Sequence, residues 1–359
     1  MTTQALPETS TRPLLISLFA LNGVTVSTLY WAQAVASVAR LEFGPSVWVS
    51  MMPSATLAGY AIGVAMLAAL ARDLTTANGL GLHGLLLGLG LGAAAVAPVV
   101  PLIALACVLI GIGCSLTQRL LACATSAVSS SARGPVIGGI IASGLVGIVV
   151  ARAIVPLASA ALGWRTMFML DAVLVCGCGV VAAIAAQRID RRAWDTDEAA
   201  LPSARTLWRR EPVLRRAALR QAAVFAMFNL GWAVFPRIVA ESGSSVALPM
   251  GVIASLGAGA ALAAGWACKR YRPADVATVG LCAVLAVGVC ALVVQGAGPL
   301  SYAAMALLDI GTQTALVANQ AQGQALATTP AMRGRLAAIV TTIGFGAGAI
   351  GAAIGNALL

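Results

Sequence analysis

The segment QRIDRRAWDTDEAALPSARTLWRREPVLRRAALRQ, residues 187–221, is the one long polar stretch of this chain, and it contains nine arginines. Six long apolar runs precede it and five follow it. A helix needs about 20 apolar residues to cross the core of a bilayer, and each run is long enough to do so. The segment therefore divides the chain into a block of six predicted spans and a block of five.

The composition of the chain is typical of a protein that spans a membrane. Of the 359 residues, 60% are hydrophobic and 9% are charged, whereas a soluble domain has about 25% charged residues. We therefore predict an all-α polytopic membrane protein. Its predicted spans are 14–38, 47–70, 79–99, 101–127, 135–160, 164–186, 217–239, 247–267, 275–295, 299–327 and 336–358.

The net charge of +10 reflects the topology of the chain. With the N-terminus in the cytoplasm, 17 of the 22 Lys and Arg residues fall in cytoplasmic segments, three fall in outer segments and two lie within spans. This asymmetry is the positive-inside rule. The basic charge therefore sets the orientation in the membrane, and we expect no binding of nucleic acid.

Short motifs recur between the two blocks at an offset of about 200 residues and in the same order, as in repeat-built transporters. The matches are FALNG (19–23) with FAMFNLG (225–231), GPSV (44–47) with GSSV (243–246), GIGCSLTQ (111–118) with DIGTQ (309–313), and SARG (131–134) with AMRG (331–334). We predict two pseudo-symmetric helical bundles, 1–186 and 217–359, joined by a basic cytoplasmic linker, 187–216.

Three longer motifs resemble the major facilitator superfamily, most closely its bacterial drug:proton antiporter branch. LYWAQAVASVARLEFG (29–44) is similar to the end of that branch's first helix, with Tyr30 and Gln33 matching. LAGYAIGVAMLAALARDLTT (57–76) is similar to the superfamily's loop 2–3 signature, but with its Asp-Arg pair inverted to Arg72-Asp73. SGLVGIVVARAIVP (143–156) resembles the fifth helix of the branch.

The resemblance implies a major-facilitator-type fold in the bacterial inner membrane, with helices 1, 4, 7 and 10 lining a central cavity. It also implies secondary-active, proton-coupled efflux of a small amphipathic molecule by alternating access. The family has twelve helices, so a chain of about eleven would lack the twelfth. We expect a monomer whose partners are the substrate, protons and the lipid bilayer.

Four charged residues lie deep inside the predicted spans, more than five residues from either end: Arg119, Arg152, Asp171 and Asp309. Charges at this depth face the interior of the bundle or a watery cavity. Arg152 and Asp171 are almost equally far from the turn near residue 162, so we predict that they form a salt bridge, with substrate contact by Arg152 as the alternative.

The family's architecture places Asp309 and Arg119 on cavity-lining helices. We predict Asp309 as the proton carrier, with Asp171 next in line; the alternative is an ionised, solvated or paired carboxylate. Arg119 and Gln118 are predicted to contact substrate, although the Arg119 side chain could instead extend towards the interface.

Neutral polar residues complete the predicted site. Those assigned to the substrate cavity are Asn22, Tyr30, Gln33, Asn229 and Gln313, although polar residues also hold helices together. Those assigned to a cytoplasmic gate, from the loop 2–3 resemblance, are Gly59, Gly63, Arg72 and Asp73.

Two alternative functions remain open: a facilitator or exporter of an anionic metabolite, and a transport-inactive homologue that acts as a partner or sensor. We expect no enzymatic activity, because the single histidine has no nucleophile motif beside it. We expect neither a metal nor a cofactor, because the eight cysteines lack converging ligand partners.

Overall fold

Helices make up almost all of the described part of the chain. The computed structural model describes residues 8–44, 46–70, 76–115, 117–128, 133–187, 201–241, 247–290 and 298–358. The helices in these ranges are α1 (Glu8–Leu29), α2 (Trp31–Phe43), α3 (Val47–Leu70), α4 (Thr76–Val96), α5 (Val100–Cys114), α6 (Thr117–Ser126), α7 (Arg133–Leu162), α8 (Trp164–Ala186), α9 (Ala204–Arg210), α10 (Pro212–Glu241), α11 (Ala247–Arg270), α12 (Pro273–Cys290), α13 (Pro299–Gln324) and α14 (Pro330–Ala357).

The number of membrane-crossing helices agrees with the sequence. The described residues contain nine helical segments that are long and apolar enough to cross a membrane, and two shorter apolar helices within α5 and α12. α1 and α2 together form the first span, and α5 and α6 together form the fourth. The prediction of an all-α protein with about eleven spans is therefore confirmed for these residues, while the domain limits at 187–216 stay a prediction.

Successive spans alternate in direction, which defines two ends of the bundle. The linker end carries the short helix α9 and the beginnings of α10 and α14. The far end carries the turns at Gly44 and Gly163, which have φ angles of 71° and 84°. Residues that carry a side chain rarely adopt such positive φ angles, so glycine suits both turns.

The first span is interrupted near mid-depth. Tyr30 separates α1 from α2 with φ −102° and ψ 0°, a sparsely populated backbone region. Its backbone N–H still donates to the Ser27 carbonyl at 2.9 Å, so the break leaves this polar group satisfied. Irregular backbone at membrane depth is tolerated where it is buried in protein or lines a cavity.

Small residues bring pairs of spans into backbone contact in both halves of the chain. A Cβ at Gly147 of α7 would overlap the Gly23 carbonyl of α1, and one at Gly351 of α14 would overlap the Ala226 carbonyl of α10. Such close approach is how membrane helices gain packing energy without a hydrophobic driving force. The first and seventh spans are thus packed by the same means.

Contacts between the two halves lie at mid-depth and at the far end. α3 packs along α14, and α7 packs along α11. The rings of Tyr60 and Phe345 lie 4.3 Å apart between their centroids. At the far end Arg237 of α10 donates to Ser50 of α3 at 3.2 Å and to Asn356 of α14 at 3.3 Å. These contacts hold the far end together.

Candidate functional site: a buried ion pair between the halves

A charged pair joins the two halves at mid-depth. Arg152 on α7 and Asp309 on α13 each lie ten residues from the far-end terminus of their helix, Leu162 and Pro299, or about 15 Å along the axis. Nη1 of Arg152 donates to Oδ1 of Asp309 at 3.4 Å, and the side chains are 4% and 1% exposed. We call Arg152 and Asp309 the central pair.

The predicted pairing of Arg152 with Asp171 is wrong. Asp171 on α8 is buried, and its Oδ2 atom lies 2.7 Å from the Thr28 hydroxyl of α1, which donates to it. Arg152 and Asp171 lie at similar depth, but Asp309 shares that depth as well. The side of the helix decides the partner: Asp171 faces α1, whereas Arg152 faces α10 and α13.

Aromatic rings surround the Arg152 guanidinium. Its Cζ atom lies 3.5 Å from the ring centroid of Trp232 and 5.2 Å from those of Tyr30 and Phe228. The faces of aromatic rings attract a cation, and the attraction strengthens when water is excluded. The rings therefore replace part of the hydration that Arg152 loses on burial.

Several buried polar atoms around the central pair have no hydrogen-bond partner among the described residues. They include Nε and Nη2 of Arg152 and Oγ1 of Thr312, whereas the Trp232 indole lies close enough to the Asp309 carboxylate to interact with it. Buried polar atoms are nearly always paired, and one that is not destabilises the protein by about 1–3 kcal/mol. Such a concentration at one place points to a functional site.

A glycine makes room for the Asp309 carboxylate. Gly257 of α11 faces Asp309, and a Cβ at this position would overlap Oδ2. Gln313, one turn along α13 from Asp309, is also buried and lies against the same glycine. The predicted residues Arg152, Asp309, Tyr30 and Gln313 are thus brought to one region.

Other predicted cavity residues lie elsewhere. Asn22 donates to the Ile140 carbonyl at 2.9 Å and to Ser143 at 3.0 Å, which joins α1 to α7. Asn229 donates to the Phe225 carbonyl of its own helix at 2.9 Å. Both amides therefore contribute to helix structure and helix packing.

For the remaining predicted residues, either no contact with the central pair is described or the side chain lies outside the described residues. Gln118 on α6 is exposed and donates to the Tyr60 hydroxyl at 2.9 Å, and Gln33 on α2 is partly buried. Arg119 belongs to α6, but its side chain lies outside the described part, and so do Arg72 and Asp73. Their roles stay predictions.

The two predicted gate glycines pack α3 against α5. A Cβ at Gly59 would overlap the Val108 carbonyl, and one at Gly63 would overlap the Ser115 side chain at the end of α5. Both glycines therefore allow α3 to pack closely against α5. Their role in a cytoplasmic gate stays a prediction.

Sequence reasoning did not find Trp232, Phe228 or Gly257. Phe228 and Trp232 are four residues apart on α10 and so lie on one face of that helix. The sequence feature that could have indicated them is their position, because Phe228 lies within the repeated motif FAMFNLG and Trp232 follows it directly. Gly257 gives no such signal, because its sequence neighbours are also small.

The fold and the central pair together describe a helical membrane protein with a charged site between two halves. The Major Facilitator Superfamily model matches residues 15–352, so the chain belongs to that superfamily of transporters. None of the curated proteins matches the sequence at a significant level.

Solved transporters share the fold at low sequence identity. A bacterial homologue of the human lysosomal transporter Spinster, inward-facing and unoccupied, has a TM-score of 0.76 and 16% identity, over 96% of this chain and 82% of that one. A point mutant of the nucleoside transporter NupG has a TM-score of 0.71 and 10% identity, over 96% and 91%. A D-xylose-proton symporter has a TM-score of 0.68 and 14% identity, over 96% and 88%.

Proposed function

We propose that this chain is a secondary-active transporter that couples movement of a small amphipathic molecule to protons at the central pair. The observation that supports this most is the buried Arg152–Asp309 contact between α7 and α13, at 3.4 Å and surrounded by unpartnered polar atoms. An ion pair between two moving bodies is well placed to respond to both substrate and proton.

Charge neutrality gives the central pair two stable arrangements. A lone buried charge is costly, so an ionised Asp309 keeps Arg152 as its partner. If Asp309 takes up a proton, Arg152 loses its counter-charge and needs another partner, which a substrate can supply. Alternation between these arrangements is the proposed link between proton movement and transport.

Export in exchange for protons is the direction that the resemblance to the drug:proton antiporter branch favours. The positive-inside distribution of Lys and Arg supports a cytoplasmic linker end and N-terminus in a bacterial inner membrane. Asp171, which is also buried, is the carboxylate that we propose next if Asp309 is not the proton carrier.

Transport of an anionic metabolite is a second candidate function. It is favoured by the unpartnered Nε and Nη2 atoms of Arg152, since these donors suit an anion.

Proteoliposomes containing the full chain test the proposed function. We expect a pH gradient to drive accumulation of either the lipophilic cation tetraphenylphosphonium or the carboxylate benzoate, and a protonophore to abolish it. The matched control is the Arg152→Leu, Asp309→Leu double variant, which keeps the site neutral but removes both charged groups. If the wild-type and double-variant vesicles behave alike with both probes, the proposal fails for these two classes of substrate.

A further inference from the structure

We propose that the substrate is a small monocarboxylate with an apolar body, bound by one edge of the Arg152 guanidinium, and that it occupies the site together with a proton on Asp309. This inference rests on the proposed function, because it names the substrate class of the same site. For a carboxylate substrate it replaces the exchange that the antiporter resemblance favours: anion and proton bind together and so move in the same direction.

The hydrogen-bond donors of Arg152 indicate a carboxylate. The contact with Asp309 uses Nη1, while Nε and Nη2 are buried and unpartnered. These two nitrogens form one edge of the planar guanidinium, and their N–H groups point in parallel. Parallel donors match the two oxygens of a carboxylate in bidentate geometry, which a single ammonium group cannot reproduce.

The surrounding rings indicate the body of the substrate. The Trp232 ring centroid lies 3.5 Å from the Cζ atom of Arg152, so a large apolar surface lies directly beside the guanidinium. Tyr30 and Phe228 lie 5.2 Å from the same Cζ atom. A carboxylate on the Nε–Nη2 edge therefore leads into aromatic surroundings, which favour an apolar or aromatic body of small size.

Charge balance requires the proton. With Asp309 ionised, Arg152 is already neutralised, and a bound carboxylate would leave one uncompensated negative charge in a site where both partners are at most 4% exposed. When a proton binds Asp309, the Asp309 side chain becomes a neutral acid, and Arg152 is free to pair with the substrate carboxylate. The sum of charges is then zero in both arrangements.

The test compares three probes of matched shape on the purified full-length protein: benzoate, the neutral benzamide and the cation benzylamine. We expect benzoate to bind at least about tenfold more tightly than either other probe, because only a carboxylate accepts from both donors. We also expect benzoate affinity to fall at least about tenfold from acidic to neutral pH as Asp309 loses its proton. Equilibrium binding of radiolabelled probes to the wild-type protein measures both the relative affinities and the pH dependence.

Two variants separate the geometry of the guanidinium from its charge. Arg152→Lys keeps the charge but loses the planar edge, so benzoate binding should weaken at least about tenfold. Asp309→Asn resembles the protonated acid, so benzoate binding should persist and lose its pH dependence. Arg165→Lys, at the far end in the Glu42 ion pair, is the control and should bind benzoate as the wild type does.

Several results would overturn the inference: preference for benzylamine, equal binding of benzoate by Arg152→Lys, stronger benzoate binding at neutral pH, or no binding of benzoate at all. Gradient-driven transport of tetraphenylphosphonium that requires Asp309 would leave the proposed function standing and reject only the carboxylate. Conversely, benzoate binding to Arg152 without gradient-driven transport of any probe would keep the carboxylate site and reject the proposed function.

Discussion

Replacing Arg152 alone by leucine should lower the free energy of unfolding by about 3–5 kcal/mol, whereas replacing both Arg152 and Asp309 by leucine should restore most of that loss. The single change leaves Asp309, which is 1% exposed, as a buried charge without its partner. The double change leaves apolar side chains of similar size. Thermal unfolding in detergent and the recovered fraction of monodisperse protein measure the difference.

The far-end ion pair supplies a matched control. Arg165 and Glu42 lie 2.9 Å apart, closer than the central pair, but their side chains are 32% and 42% exposed. Water screens such a pair, so Glu42→Gln, which removes the negative charge but keeps an accepting oxygen, should cost at most about 1 kcal/mol. A double central variant that unfolds more easily than both single variants would show that the two charges do not compensate one another.

Asp309→Asn should abolish gradient-driven transport while leaving substrate counterflow measurable. Asparagine has the shape of the protonated acid and can accept from Arg152, but it cannot bind or release a proton. Exchange of substrate across the membrane needs only the conformational change, so it should survive the substitution. Both rates can be measured in the same preparation of proteoliposomes, with and without a pH gradient.

Asp171→Asn is the control for that variant. Asp171 is equally well buried, but its described contact is with the Thr28 hydroxyl, which an asparagine oxygen can also accept. We therefore expect coupling to survive in Asp171→Asn. Uphill transport by Asp309→Asn together with its loss in Asp171→Asn would reverse the assignment of the two carboxylates.

The number and position of the spans could be predicted from the sequence because they depend on the length of apolar runs alone. The break in the first span could not. Tyr30 stands in apolar sequence without proline, so hydropathy predicts a continuous helix there.

The partner of Arg152 shows a second limit. Counting residues from the helix ends gives depth, and this count places Arg152 and Asp171 at similar levels. In the structure Asp309 lies at that level too, since both members of the central pair lie ten residues from the far end. The choice between the two carboxylates depends on which helices are neighbours and how each is rotated, and that information lies in the packing of the whole bundle.

The neutral polar residues show the same limit. Asn22 and Asn229 occur in the repeated motifs of the first and seventh spans, which made them reasonable cavity residues. In the structure both amides bind backbone carbonyls. Trp232, which lies closest to the Arg152 guanidinium among the three rings around it, carries no polar signal that would distinguish it from a lipid-facing aromatic.

Infrared difference spectroscopy of the reconstituted protein tests most directly whether Asp309 is the group that takes up the proton. Acidification should produce the C=O band of a protonated carboxylic acid, and that band should be missing from Asp309→Asn but present in Asp171→Asn. An acid-induced carboxyl band that is unchanged in Asp309→Asn would contradict the account, because the central pair would then keep its charge throughout.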